Sequence, residues 1–97
     1  MILAIDIGNT NVVLGCVEGE TITFEARIAT DPIKTSDQYC VDIKTMLDLN
    51  EVRIRDLEGT IISSVVPQVL NSIQTAILKL THKAPLVVGP GIKTGLN

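Results

Sequence analysis

Residues 1–17 read MILAIDIGNTNVVLGCV, and the way this run divides decides the fold. Ile2 to Ile7 is a short, β-rich apolar run of the kind that lies buried on both faces of a sheet. Gly8-Asn9-Thr10-Asn11 is a cluster of turn formers, after which Val12 to Val17 reads as a second strand. Glu18-Gly19-Glu20 makes another turn. From Thr21 to Ile28 the pattern alternates, with Ile22, Phe24, Ala26 and Ile28 on one side and Thr23, Glu25 and Arg27 on the other, as in a strand with one wet face. The first third of the chain is therefore expected to be a three-stranded antiparallel meander. The opening run has no basic segment before it, and a carboxylate interrupts it at Asp6, so it fits neither a signal peptide nor a membrane span.

After Asp31-Pro32 the period changes. Thr35 and Gln38 have the spacing of a capping box, and Tyr39, Ile43, Met46 and Leu47 follow at helical intervals, which predicts a helix over 36–49. Residues 60–66 form a second apolar β run. Pro67 then suits a first helical position, and Leu70, Ile73, Ile77 and Leu80 define one apolar face of a helix over 67–81. Lys79 and Lys83 fall near its negative end. Leu86-Val87-Val88 is a last short strand that Gly89-Pro90-Gly91 stops. The order β-β-β-α-β-α-β predicts an α/β domain with a mixed five-stranded sheet and helices packed on it.

The chain has 97 residues, 45% of them hydrophobic, a formal net charge of −3, one Phe, one Tyr and no Trp. At this length roughly 64% of the unfolded surface is buried on folding, enough for one aliphatic core without disulfide staples. The near absence of aromatic residues excludes a stacking platform for single-stranded nucleic acid. Scattered Lys and Arg, under a net negative charge, argue against a nucleic-acid partner altogether. Cys16 and Cys40 match no zinc spacing and are expected to be small apolar side chains in a reducing cytoplasm.

The stretch that carries chemistry is Asp6-Ile7-Gly8-Asn9-Thr10-Asn11. A carboxylate at the end of a buried strand is costly unless something ties it down. Gly8 permits a tight backbone, and consecutive N–H groups helped by the Thr10 hydroxyl and the Asn9 and Asn11 amides can bind phosphate oxygens. Asp6 could hold a divalent cation, directly or through water, that offsets phosphate charge. An Asx-type turn closing a hairpin uses the same residues, and the residues alone leave both readings open.

This stretch resembles the first phosphate-binding loop of the superfamily that unites sugar kinases, heat-shock chaperones and actin. The closer resemblance is to the type III pantothenate kinase family of bacteria, also known as the Bvg accessory factor family. Thr30-Asp31 with Thr35-Ser36-Asp37-Gln38-Tyr39 resembles that family's stretch before its first helix, with Gln38 where Glu is common. Ile62-Ser63-Ser64-Val65-Val66-Pro67 resembles its strand-to-helix junction, and Leu86 to Asn97 resembles a further characteristic run. The four stretches occur in order along the whole chain. The resemblance implies a ribonuclease H-like, actin-like ATPase fold and transfer of the ATP γ-phosphate to the hydroxyl of pantothenate, the first step towards coenzyme A. It implies Mg²⁺, a monovalent cation such as K⁺ or ammonium, and a cytoplasmic homodimer. Asp6, Ile7, Gly8, Asn9, Thr10, Asn11, Val12 and Val13 would form the ATP phosphate loop, with Asp6 on the metal side. In the family a Gly-x-Asp-Arg motif, carrying the general-base Asp and an Arg that helps hold pantothenate, follows beyond the position of Asn97. The second phosphate loop and the cation site come later still, so residues 1–97 are expected to be the N-terminal domain of such a kinase, inactive alone. A non-catalytic nucleotide-binding regulatory module is the alternative.

Other features point elsewhere only superficially. Gly91-Ile92-Lys93-Thr94 lacks the Gly before Lys that a Walker loop needs. Ser63-Ser64 lacks the glycines of a nucleophile elbow. His82 stands alone near a helix end and is expected to face solvent. Asp31, Asp37, Asp42 and Asp48 could suggest a nuclease cluster with Asp6, but helical spacing spreads them over a solvated face. Cys40 is expected to be partly buried and not catalytic.

Overall fold

A computed structural model of the chain describes residues 1–89. Five strands form one sheet: β1 (Ile2–Ile7), β2 (Asn11–Glu18), β3 (Thr21–Ala29), β4 (Gly59–Ser64) and β5 (Leu86–Val88), in the spatial order β3-β2-β1-β4-β5. The meander β1-β2-β3 is antiparallel, whereas β4 runs parallel to β1 and β5 parallel to β4. The helices α1 (Ser36–Leu49) and α2 (Pro67–Thr81) supply the crossovers that parallel pairing demands.

Both helices pack on one face of the sheet. Leu3, Ile5 and Ile7 of β1, Val12, Leu14 and Cys16 of β2, and Ile62 of β4 form a single buried cluster with Tyr39, Ile43 and Leu47 of α1 and Val69, Ile73 and Ile77 of α2. The opposite face carries a small cluster of Ala4 and Val13 with Val17 against it. Among the described residues no helix lies on that second face.

The local rules that form α1 hold atom by atom. Gln38 N–H donates to Thr35 Oγ1 at 3.1 Å and Thr35 N–H donates to Gln38 Oε1 at 2.9 Å, completing the capping box. Tyr39 is fully buried, yet its hydroxyl is satisfied: it donates to Asp31 O at 2.9 Å and accepts from Asp31 N–H at 2.9 Å. Pro67 is the first residue of α2, and His82 ends that helix in the left-handed region at φ 59°, exposed to solvent. Cys16 is buried and Cys40 half-buried against the core.

Two expectations need correction, and one further element is added. Ile22 does not share the core face with Phe24. A register shift at Cys16/Val17 pairs Cys16 with Phe24 but Val17 with Ile22, and such a bulge turns Ile22 to the opposite side, where it is 39% exposed. The run 60–66 is a strand only to Ser64. Val65 N–H makes a last bond to β1, donating to Ile7 O at 3.1 Å, and Val66 becomes the cap residue of α2. A 3-10 turn at Ile54–Asp56, preceding β4, was not foreseen; it brings Leu57 into the core and lets Glu58 N–H reach Met1 O at 2.8 Å.

Two stability predictions follow from the core. Thr60 is buried on the helix face with a hydroxyl that has no hydrogen-bond partner among the described residues. Thr60→Val keeps the shape and removes the unpaired group, and is expected to raise the unfolding free energy by about 1 kcal/mol in denaturant titration. Burial pushes the Cys16 thiol up from its ordinary 9.0 to about 11. The folded state then retains a proton that the unfolded chain releases, so stability is full below pH 9 and falls between pH 9 and 11. The loss attributable to Cys16 is on the order of 2 kcal/mol. It should show as a shallower alkaline slope in Cys16→Ala, since the raised ammonium groups of Lys34 and Lys79 remain in both proteins.

Candidate functional site

β1, β4 and β5 are parallel, so their carboxyl ends lie at one edge of the sheet, and there β1 turns back into β2 while β4 leads into α2. Crevices outside such carboxyl ends, where the chain leaves the central strand in opposite directions, are where α/β sheets bind ligands. The stretch Asp6 to Val13 sits at this edge.

Asp6 occupies the penultimate position of β1, flanked by Val13 of β2 and Ser63 of β4, on the face away from the helices. Ser63 is buried and Asp6 half-buried. Among the described residues no donor bonds the Asp6 carboxylate. Arg27 lies in the same cross-strand row, opposite Val13, and pairs with Glu25 at 3.4 Å.

The connection itself is short and held at several points. Gly8 N–H donates to Asn11 O at 2.9 Å, which closes the hairpin through the backbone rather than through an Asx side chain. Thr30 Oγ1 donates to Gly8 O at 2.8 Å, and Thr30 N–H donates to Thr10 O at 2.9 Å. Val65 N–H holds Ile7 O from the other side. Among the described residues, the N–H groups of Asn9 and Thr10 and the side chains of Asn9, Thr10 and Asn11 form no hydrogen bond, and all three residues are exposed. The loop backbone is thus fixed while its outward donors are unspent, an arrangement that can accept an anion. Ile7 and Val12 face the helix-side core and Val13 the other side, so they shape the loop through packing rather than through polar contact.

Ser64 organises the adjoining junction. Its Oγ accepts from Val66 N–H at 2.9 Å and donates to Val66 O at 3.1 Å, while the first turn of α2 has no side-chain cap. Sequence reasoning missed Ser63 as the neighbour of Asp6 on β4 and Thr30 as a clamp on the loop at Gly8 and Thr10. A hydroxyl residue directly after a strand, and a Ser pair at the end of the apolar run that leads to Pro67, were the available signals. The acidic residues after Asp6 do not gather into a centre. Asp42 pairs with Lys34 at 2.8 Å, Asp48 with Lys44 at 2.6 Å and Asp37 with Lys79 at 2.9 Å. Asp31 Oδ1 accepts from Ile33 N–H at 3.0 Å. Among the described residues, no group of three His, Cys, Asp or Glu could hold a metal ion, so a cation at this edge would rely on Asp6 with ligand or water oxygens. The run from Pro90 to Asn97, including Gly91 to Thr94, lies outside the described residues.

Residues 2–97 match the family model described as type III pantothenate kinase. A type III pantothenate kinase from Halalkalibacterium halodurans is 44% identical over all 97 residues, and the chain spans 38% of that relative's length. Among solved structures, a ROK hexokinase from Thermus thermophilus superposes with a TM-score of 0.67 over 91% of this chain and 33% of that one. Identity there is 12%, so the likeness concerns the fold, the actin-like ATPase architecture.

The close approach within the loop makes one substitution informative. A Cβ on Gly8 would lie 3.2 Å from Asn11 O, a backbone atom that cannot swing aside. Gly8→Ala is expected to cost about 1 kcal/mol in denaturant titration and to shift the amide resonances of residues 8–11.

Proposed function

The chain belongs to the type III pantothenate kinase family, and on that premise we propose that it forms the nucleotide-loop domain of an enzyme that phosphorylates pantothenate with ATP, at the entry to coenzyme A biosynthesis. The observation that carries the proposal within this chain is the Asp6 edge: a carboxylate with no hydrogen-bond partner among the described residues, at the carboxyl end of the central strand, beside a clamped loop whose Asn9 and Thr10 N–H groups are likewise unspent among those residues. Those groups, with the Thr10 hydroxyl and the amides of Asn9 and Asn11, would hold ATP phosphate oxygens. Gly8 lets the phosphate come close to the backbone. Asp6, a hard oxygen donor with free lone pairs, would hold Mg²⁺ directly or through water. Magnesium bound there supplies charge neutralisation for the phosphates.

In the transfer, the pantothenate hydroxyl oxygen bonds to the γ-phosphorus, the bond from that phosphorus to the bridging oxygen of ADP breaks, and the hydroxyl proton passes to a base. Residues 1–89 offer positioning and electrostatics for the donor side of this step. The base, the pantothenate contacts, the second phosphate loop and the K⁺ or ammonium site are assigned, on the family resemblance, to a second domain of a longer chain. The homodimer and a cytoplasmic location belong to the same proposal. No helix among the described residues is long and apolar enough to cross a membrane, and the charge pattern does not favour nucleic acid.

The test is ADP release, dependent on both ATP and pantothenate, from the full-length protein that carries this segment. Asp6→Asn is expected to lower kcat roughly 100-fold or more while leaving the melting temperature within a few degrees. Full turnover in Asp6→Asn would remove Asp6 from the metal side. ATP binding without any pantothenate-dependent turnover in the unaltered protein would instead establish the regulatory module.

A further inference from the structure

We infer that Thr30 is a positioning residue for nucleotide binding, and that it holds the Gly8–Asn11 loop through a strut anchored in the core by Tyr39; this rests on the reading of that loop as the ATP phosphate loop. Thr30 follows the last residue of β3 and touches the loop at two places. Its hydroxyl donates to Gly8 O at 2.8 Å and its N–H donates to Thr10 O at 2.9 Å. The carbonyls that flank Asn9 are thereby both turned towards Thr30, and because a trans peptide sets each N–H opposite its C=O, the Asn9 N–H, unbonded among the described residues, points away from Thr30. A loop of three residues between two strands has few other ways to fix its peptide planes, because Asn9, Thr10 and Asn11 lend no side-chain bonds among the described residues.

Thr30 is itself held. The next residue, Asp31, is gripped by the Tyr39 hydroxyl through both its N–H and its carbonyl, each at 2.9 Å. Tyr39 is fully buried in the main core, and the Lys34 ammonium lies 5.1 Å from its ring centroid while pairing with Asp42. Two consecutive residues thus link the first turn of α1 to the β1-β2 loop. The chemistry required at position 30 is narrow: a hydroxyl to reach Gly8 O and a backbone suited to strand continuation. Thr and Ser provide the first, and Thr favours the second.

The experiment uses the full-length protein and two readouts, amide hydrogen exchange of the loop and steady-state kinetics. Thr30→Val removes the bond to Gly8 O and keeps the N–H bond to Thr10 O; Thr30→Ala removes the same hydroxyl with less bulk, and Thr30→Ser restores it. In Thr30→Val the Gly8 amide is expected to exchange about tenfold faster, and the KM for ATP to rise about tenfold with the KM for pantothenate unchanged. Thr30→Ser should return both to near the parent values. Unchanged Gly8 exchange in both Thr30→Val and Thr30→Ala would overturn the strut and leave the ATP reading of the loop standing. Faster exchange with an unchanged KM for ATP would overturn the inference by the other route, showing that the loop Thr30 holds is not the nucleotide loop. Should Thr30→Val melt far below the parent, Thr30→Ala and Thr30→Ser carry the same comparison.

Discussion

β1 has a strand on each edge and apolar side chains on both faces, and the rest of the architecture follows from satisfying it. Its backbone groups can be paired only if one neighbour lies on each side, and its short length leaves no room for an irregular position. The chain meets the first requirement locally, by turning straight back into β2. It meets the second at a distance, by sending the 29 residues from Thr30 to Glu58 through a loop, α1 and a 3-10 turn before β4 arrives in parallel. Antiparallel and parallel pairing therefore part at the carboxyl end of β1. Asp6 is the polar exception in a strand where Leu3, Ala4, Ile5 and Ile7 are buried, and it stands at that parting.

Much of this was legible because periodicity and punctuation agree along the chain. Gly8 to Asn11, Glu18 to Glu20 and Asp31-Pro32 interrupt runs whose period is unambiguous, and the bounds of α1 and α2 follow from Thr35 with Gln38 and from Pro67. The failures share a cause. Whether Ile22 faces the helices depends on a register shift against Cys16 and Val17, which is a property of two strands together. Val65 looks like strand in composition, and its N–H still bonds Ile7 O, but the next N–H, that of Val66, turns to Ser64 Oγ and the chain leaves the sheet to enter α2. The 3-10 turn at Ile54 is fixed by where Met1 and Leu57 must go, and no local pattern announces it.

The site was legible in its identity and not in its support. Asp6, Gly8 and Asn11 are visible as a carboxylate and turn formers breaking an apolar run. Thr30 and Ser63 come beside them only through pairing with residues more than twenty positions away, and Tyr39 contributes through a hydroxyl that periodicity reads simply as core. The ion pairs are of a different kind. Lys44 with Asp48 and Lys79 with Asp37 are exposed, and such pairs contribute little to stability.

Fold and family enter at different levels. A hexokinase at 12% identity shares the architecture, which by itself leaves the acceptor substrate open, since one fold hosts many chemistries. What separates this chain from that neighbour is the sequence laid on the common sheet, and there the 44% identity to a pantothenate kinase speaks. Among the described residues, the hydrogen bonds that hold the loop come from the stretch that precedes α2: Asn11 and Gly8 close it, Thr30 clamps it, and Val65 steadies its base. Donors fixed in advance are worth more to a charged ligand than donors that must be ordered on binding. The bonds from Thr30 and Val65 join residues far apart in the chain, and Ile7 and Val12 at the base of the loop pack in one core with Val69, Ile73 and Ile77 of α2. The loop is therefore ordered by the whole sheet-and-helix unit, and its donors stand ready before any ligand arrives.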